Sequence, residues 1–335
     1  MKHNFNPKPL FIERMENLLG KDFDNYYKVI YQPLKKSIRA NTLKISPEEL
    51  KKKLEKKGWI LKQPFKEHLE IFIIEGKIVN DKKNNNNLTN LIDLEPGELG
   101  RSLEHLLGYY YVQEISSMLP VIALNPNPNE IILDLCSAPG SKTTQIAAKM
   151  ENTGAIIAND LKLGRIRILA SNLERCGVMN TIITKSRGVE LCKNLKENFQ
   201  IDKILLDVPC SGEGIIGSSK ESNKMWNIKR IRSLSKIQKS LFESAFELLK
   251  PQGVLVYSTC TYAPEENEEV IDFILKKFNN IKIEKISLPA KSREGIKKWQ
   301  EKEYLEDIKY SHRIYPQDSN TGGFFIAKFR KSSVL

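Results

Sequence analysis

From residue 131 onward the chain alternates short apolar segments with longer helical ones, and this rhythm constrains the fold more than any other feature. The apolar segments cover 131–135, 155–158, 180–184, 203–208 and 254–258. Between them lie 142–150, 163–176 and 231–249, which carry helical patterns. Repeated strand–helix–strand units predict an α/β fold with a Rossmann-like, doubly wound parallel sheet. A sheet of this kind binds ligands at the carboxyl ends of its strands. The residues just past each strand are therefore the candidate functional residues. No internal repeat is present.

The part before this sheet is of another kind. Ser37-Ile38-Arg39-Ala40-Asn41-Thr42-Leu43 reads as a strand. Ser46 then caps a helix whose first turn holds Pro47, Gly58 closes it, and Trp59-Ile60-Leu61 resumes extended structure. Residues 81–90, with Asn84 to Asn87, have no core pattern and read as an exposed loop. The expected division is a small α+β N-terminal appendage over residues 1–106 and a catalytic domain over 107–335. These residues alone leave open whether the appendage faces RNA or is purely structural.

Charge and composition narrow the function classes. The 335 residues carry 53 Lys+Arg against 41 Asp+Glu, a net charge of +12. Such an excess favours a polyanionic partner, nucleic acid first, against the bland account of a Lys-rich proteome. A hydrophobic share of 40% can fill a core, which excludes global disorder. No apolar run approaches the roughly 20 residues of a membrane span. The start, Met1-Lys2-His3-Asn4-Phe5-Asn6-Pro7, lacks the apolar stretch of a signal peptide. A soluble, cytoplasmic chain with no membrane association is expected. The five cysteines are odd in number and form no Cys-x-x-Cys pair, and the four histidines lie far from them in sequence. That pattern argues against a disulfide framework and against a bound metal.

After the first strand comes Cys136-Ser137-Ala138-Pro139-Gly140-Ser141-Lys142-Thr143, a tight small-residue turn opening a helix. Gly140 lets a ligand approach the backbone closely. The spacing is neither that of a P-loop nor Gly-x-Gly-x-x-Gly, which disfavours a nucleoside triphosphate or a dinucleotide. The next strand ends at Asp160, whose carboxylate can accept hydrogen bonds from both ribose hydroxyls of an adenosine. Turn and acid together fit S-adenosylmethionine; a helix cap is the plainer account of Asp160 alone. Two later strands run into Asp207-Val208-Pro209-Cys210-Ser211-Gly212 and Ser258-Thr259-Cys260-Thr261. Each cysteine alone would read as core filler. Both lie at the rim where the crevice should be, so two thiols can converge on one ligand. A thiolate that adds to carbon 6 of a pyrimidine makes carbon 5 nucleophilic enough to take a methyl group. Asp207 is placed to stabilise the charge that develops near ring nitrogen 3. Lys142, beside the same crevice, can contact the base or lower the nucleophile's pKa. The chemistry does not choose between the two thiols.

In these motifs the chain resembles the Sun/nucleolar-protein (RsmB-like) family of S-adenosylmethionine-dependent RNA cytosine-C5 methyltransferases, of the archaeal tRNA type. The likeness runs from Ser37-Ile38-Arg39-Ala40-Asn41-Thr42-Leu43 through the segment from Leu107 to Met118, the turn at Pro139-Gly140 and both cysteine motifs, to Gly323-Phe324-Phe325-Ile326-Ala327. It implies Cys260 as nucleophile and Cys210 as the thiol that helps release product, with Asp207 and Lys142 beside the base. It implies a cofactor site of Cys136, Ser137, Ala138, Pro139, Gly140, Ser141, Lys142, Asp160, Arg165 and Asp207. It also implies RNA, with tRNA the expected substrate, as the partner of a monomeric enzyme.

Two departures stand out. Gly140-Ser141-Lys142 replaces the family's Gly-Gly-Lys. Arg187 stands where an Asp usually contacts the adenine amino group, and Arg cannot accept that bond. The adenine is then held by Ser186 or by backbone, or cofactor affinity is weaker. Arg187 is also the one feature that favours a non-catalytic RNA-binding or ribosome-assembly factor; rRNA is the other substrate reading. A DNA cytosine methyltransferase with Pro209-Cys210 as nucleophile motif is a further alternative. The Asn/Asp-Pro-Pro-Tyr motif of amino-group methyltransferases is absent. If the charge serves an RNA backbone, affinity for a transcript should fall by several decades between roughly 50 and 200 mM salt; a filter-binding titration that stays flat would return the charge to the bland account.

Overall fold

The computed structural model describes residues 7–80, 89–217 and 219–333. Of residues 81–90, read above as a loop, 81–88 lie outside them, whereas Thr89 and Asn90 pair with Asn80 and Val79 as the start of a strand. The first sheet contains β1 (Ser37–Ala40), β2 (Trp59–Lys62), β3 (Ile71–Asn80), β4 (Thr89–Ile92) and β5 (Tyr110–Val112), in the order β2-β3-β1-β5 with β4 beside β3. β1 is buried along its length because it is flanked on both sides. It ends at Ala40, short of the expected Leu43. There Asn41 turns its side chain into the fold and donates to the carbonyls of Gly108, at 2.8 Å, and Cys176, at 2.7 Å. The helix Pro47–Glu55 begins as expected, with Ser46 Oγ accepting the Glu49 N–H at 3.1 Å.

This sheet does not stop at residue 106. β5 hydrogen-bonds to β1, with Ile38 opposite Val112, so residues 110–112 complete the first sheet. Conversely, the N-terminal helices Pro9–Leu19 and Phe23–Val29 pack against the second part of the chain. Phe11 meets Trp226 edge-on with ring centroids 5.5 Å apart, and Tyr26 meets Tyr262 at 5.6 Å.

The second sheet holds β6 (Ile131–Asp134), β7 (Ala155–Asp160), β8 (Thr181–Lys185), β9 (Ile201–Asp207) and β10 (Leu249–Thr259). They are parallel, in the order β8-β7-β6-β9-β10. Expected and observed strand boundaries agree to within two residues except at the start of β10, which begins at Leu249 through an irregularity before Val254. Beyond β10 the strand Phe324–Lys331 runs antiparallel and carries Ile281–Glu284 and His312–Ile314. Order reverses between β6 and β9, which makes their carboxyl ends the switch point of the sheet. Alternation along each strand feeds two cores. Leu133, Ile204, Leu206 and Tyr257 pack with Phe242 and Phe246 of the helix Ile228–Leu248. Ile132, Leu205 and Val256 pack on the other face with Leu119 and Ile146, from the helices Ile115–Leu124 and Ser141–Lys149. Among the described residues no helix is long and apolar enough to cross a membrane.

One buried ion pair ties the antiparallel edge to the start of the helix Glu268–Lys277, which follows β10. Arg313 and Glu268 are 2% and 0% exposed, and the guanidinium meets the carboxylate at 2.5 Å through both Nε and Nη2. Arg313 Nη1 also donates to the Tyr262 carbonyl and to the Tyr315 hydroxyl, each at 3.0 Å. Arg313→Met would strand the Glu268 charge in the core, and urea unfolding should show a loss of about 3–5 kcal/mol.

Candidate active site

The ends of all five parallel strands contribute to one crevice. The turn after β6 is tightly held. Ser137 N–H and Oγ both donate to the Asn159 carbonyl, at 2.8 and 2.9 Å. The Ala138–Pro139 peptide is cis, and Gly140 follows with φ +102° at the start of the helix Ser141–Lys149. A Cβ there would lie 2.9 Å from Leu169 Cδ1 in a backbone conformation L residues rarely adopt, so glycine is required. At the end of β7, Asp160 is 3% exposed. Its Oδ1 accepts the Lys162 N–H at 3.0 Å, and its Oδ2 pairs with Arg165 Nη1 at 2.9 Å. Arg165 also donates to the Ala138 carbonyl, so it links acid and turn. Each Asp160 oxygen keeps a lone pair for a hydroxyl. The narrow glycine turn and the acid one strand away fit S-adenosylmethionine.

Asn159 stitches three strand ends together. It donates to the carbonyls of Leu135 and Ser186 at 3.1 Å and accepts from Ser186 N–H and Thr184 Oγ1 at 3.0 Å. Arg187 is exposed and lies 3.5 Å from Glu190. Its side chain is thus engaged by its own helix Gly188–Lys196.

Across the switch point lies a polar group around Asp207. Lys142 is nearly buried, and its Nζ donates to Asp207 Oδ2 at 2.7 Å and to Ser117 Oγ at 3.0 Å. The same ammonium sits 5.4 Å from the centre of the Phe324 ring. Ser258 Oγ donates to Asp207 Oδ1 at 2.7 Å. The structure therefore assigns Lys142 first to Asp207. Cys136 is half-buried, and burial, reinforced by Asp134, Asp207 and Asp160, pushes its thiol far up. It is unsuited to act as a nucleophile.

The two strand-end thiols meet. β9 and β10 pair with Ser258 opposite Asp207, so the turns that follow run side by side. Cys210 Sγ and Cys260 Sγ are 3.2 Å apart, both half-buried and unoxidised. The hydrogen bond to Cys260, and then burial, push the Cys210 thiol well up. Either thiol can donate in this contact, so the two share one proton-bearing edge of the crevice.

Several residues that the motifs did not reveal hold this pair. Ser211 Oγ and Thr261 Oγ1 are 2.7 Å apart, joining the two loops. Glu213 accepts from Thr261 Oγ1 at 3.0 Å, Tyr262 N–H at 3.1 Å and Trp226 Nε1 at 2.7 Å. Glu266 accepts the Ser211 N–H at 3.0 Å. In sequence the run from Pro264 to Glu269 looks like the acidic first turn of a helix, and nothing local marks Glu266 as buried. Burial raises the Glu213 carboxyl and lifts Glu266 to about 7.

The sheet, with its antiparallel edge strand and its reversal between β6 and β9, is that of a Rossmann-like methyltransferase. Comparison with known proteins identifies the kind. The family described as 16S rRNA methyltransferase RsmB/F matches residues 121–330, and the N-terminal domain of 16S rRNA methyltransferase RsmF matches residues 8–68. A tRNA (cytosine(49)-C(5))-methyltransferase from Pyrococcus abyssi is 41% identical over 320 residues, which are 96% of this chain and 95% of that protein. Ribosomal RNA small subunit methyltransferase F from Vibrio vulnificus is 38% identical over 325 residues; the chain spans 63% of its length. Among solved structures, a methyltransferase homolog protein from Pyrococcus horikoshii superposes with a TM-score of 0.81 at 36% identity, covering 98% of this chain and 96% of that one. NSun6 from Pyrococcus horikoshii, solved with the S-adenosylmethionine analogue SFG, gives 0.78 at 26% identity, covering 98% and 99%. The chain belongs to the RsmB/F family of S-adenosylmethionine-dependent RNA cytosine-C5 methyltransferases.

Asp134, buried at the end of β6, accepts from Thr143 Oγ1 at 2.7 Å, yet burial lifts its carboxyl to about 7. The folded state thus favours the protonated form. Its contribution is complete below the ordinary carboxyl range and is lost as pH rises through about 7. Asp134→Asn keeps an acceptor for Thr143 and removes that loss. Between pH 5.5 and 8.5 its unfolding free energy should fall by about 2 kcal/mol less than that of the wild type, as read by urea titration.

Proposed function

We propose that this protein methylates carbon 5 of cytosine in tRNA, drawing the methyl group from S-adenosylmethionine. The observation that carries the reading is the 3.2 Å thiol pair beside the Asp207–Lys142 group. Cys260 is the nucleophile: it stands at the position of the family's nucleophile, with the Cys210 thiol 3.2 Å away. Addition of Cys260 to carbon 6 makes carbon 5 electron-rich. Asp207 and Lys142 stand where charge develops at the pyrimidine edge. When bound, S-adenosylmethionine supplies the electrophilic methyl group. After transfer, a base at the crevice takes the proton from carbon 5, its electron pair re-forms the ring double bond, and the carbon 6–sulfur bond breaks to free the Cys260 thiolate, with Cys210 assisting this release.

Cys136, Ser137, Ala138, Pro139, Gly140, Ser141, Lys142 and Asp207 would hold the cofactor, and Asp160, paired with Arg165, would accept from its ribose hydroxyls. With the Arg187 side chain beside Glu190, Ser186 or the backbone next to it would hold the adenine. The first sheet is the RNA-facing appendage of a monomeric, cytoplasmic enzyme. tRNA is supported by the 41% identity to the Pyrococcus abyssi protein across 95% of that protein. The second reading, rRNA, draws support from the Vibrio relative, of which the chain covers less.

The test is methylation of tRNA and small-subunit rRNA transcripts, read by bisulfite sequencing. Cys260→Ala should abolish methylation by at least about a thousandfold, as loss of a nucleophile does. Cys210→Ala should accumulate a covalent protein–RNA adduct visible on a denaturing gel. Full turnover by Cys260→Ala would overturn the assignment.

A further inference from the structure

The two residues Glu266 and Asn267 lie next to each other in the turn after β10, and each grips a different thiol loop. Glu266 Oε2 accepts the Ser211 N–H at 3.0 Å and Gln238 Nε2 at 2.8 Å. The same Gln238 nitrogen donates to the Pro209 carbonyl at 3.0 Å. The peptide groups on both sides of Cys210 are therefore bonded to one buried amide–carboxyl unit. Asn267 does the equivalent for the other loop: its Oδ1 accepts Thr259 Oγ1 at 2.6 Å and its Nδ2 donates to the Thr261 carbonyl at 2.9 Å. Tyr257 Oη donates to the Glu266 carbonyl at 2.6 Å and ties this turn back to β10.

All of this is buried. Glu266, Asn267 and Gln238 are 0% exposed. Apolar side chains would fill such a place at lower cost. Gln238 leaves its own Oε1 without a hydrogen-bond partner among the described residues, and an orphaned buried acceptor is destabilising. Burial also lifts the Glu266 carboxyl to about 7, a further cost to the fold. The arrangement is poor as packing and effective as a jig.

We propose that Glu266, with Gln238, is a positioning unit for Cys210, and that its neighbour Asn267 is the matching unit for Cys260, so that one dipeptide sets the spacing of the two thiols. Neither touches the substrate; each acts through a cysteine. The inference rests on the reading that Cys260 forms the adduct and Cys210 helps resolve it. It assigns opposite defects to adjacent residues, since loosening the Cys210 loop impairs release while loosening the Cys260 loop impairs addition.

The experiment incubates full-length variants with a tRNA transcript and S-adenosylmethionine, and follows product and gel-stable adduct together. Glu266→Ala should slow turnover by about tenfold or more, the scale of a misplaced reacting group, and accumulate adduct as Cys210→Ala does. Glu266→Ala combined with Cys210→Ala should show no more adduct than Cys210→Ala alone. Asn267→Ala should lose turnover with adduct below the wild-type level. In Glu266→Gln one amide oxygen at the Oε2 position accepts both bonds, so this variant should recover most of the turnover that Glu266→Ala loses. Where Glu266→Ala fails to fold, Gln238→Leu, which frees the Pro209 carbonyl, reads the same release defect. If Cys210→Ala traps no adduct, the release reading itself falls. If Cys210→Ala traps adduct and Glu266→Ala turns over slowly without it, the positioning role is wrong and Glu266 is only part of the core.

Discussion

The pairing of β9 with β10 is the constraint on which the rest of the site depends. Parallel strands in one sheet bring their carboxyl ends to the same edge, and here the register sets Ser258 opposite Asp207. From that alignment the Asp207–Ser258 hydrogen bond, the adjacent turns and the 3.2 Å thiol contact follow. A shift of one residue would point Asp207 into the opposite core and separate the cysteines. The apolar alternation of Ile204, Leu205 and Leu206 with Leu255, Val256 and Tyr257 holds the register, because each strand is buried on both faces.

Around this edge the protein concentrates buried polar groups that a purely structural core would avoid. Glu213, Glu266, Glu268 and Asp134 are all nearly inaccessible. Only Glu268 has a full ionic partner, in Arg313. The others are held by neutral donors, and their raised carboxyl pKa values are the physical sign of charge kept out of water. The gain is rigidity in loops that have no regular secondary structure of their own. Close backbone approach does similar work: a Cβ on Gly214 would lie 2.1 Å from the Gly323 carbonyl oxygen, so the loop bonded to the Cys260 carbonyl can lie against the edge strand only as glycine.

The N-terminal part meets this catalytic sheet from two directions. Its sheet docks through Asn41, Lys44 and Arg39 onto the helices Leu163–Cys176 and Ser141–Lys149, which carry the cofactor turn and its neighbours. Its first two helices instead cover the side of Trp226 and Tyr262, near the thiols. A division drawn at residue 106 follows the change in sequence pattern. The hydrogen bonds cross it, because β5 needs a partner strand and finds one in β1.

Periodicity made the parallel strands and their helices legible, since burial on two faces leaves an apolar record in the sequence. Turn chemistry did the same for Ser46 and Gly140, and the position of Cys136, Asp160, Asp207, Cys210 and Cys260 just past strand ends marked the crevice. Short polar segments carried no such record. Glu266 and Asn267 look like a helix start, Arg313 like a surface charge, and Ser117 like one more serine. Asn267 finds its partners within eight residues, but Ser117, Glu266 and Arg313 find Lys142, Ser211 and Glu268 at 25 to 55 residues' distance. The sequence by itself determined the fold class and marked the two strand-end thiols, because strand patterns and strand-end motifs are local. Only the tertiary structure decided how closely the two thiols approach and which buried residues bond to their loops, because hydrogen bonds between separate loops have no period to read.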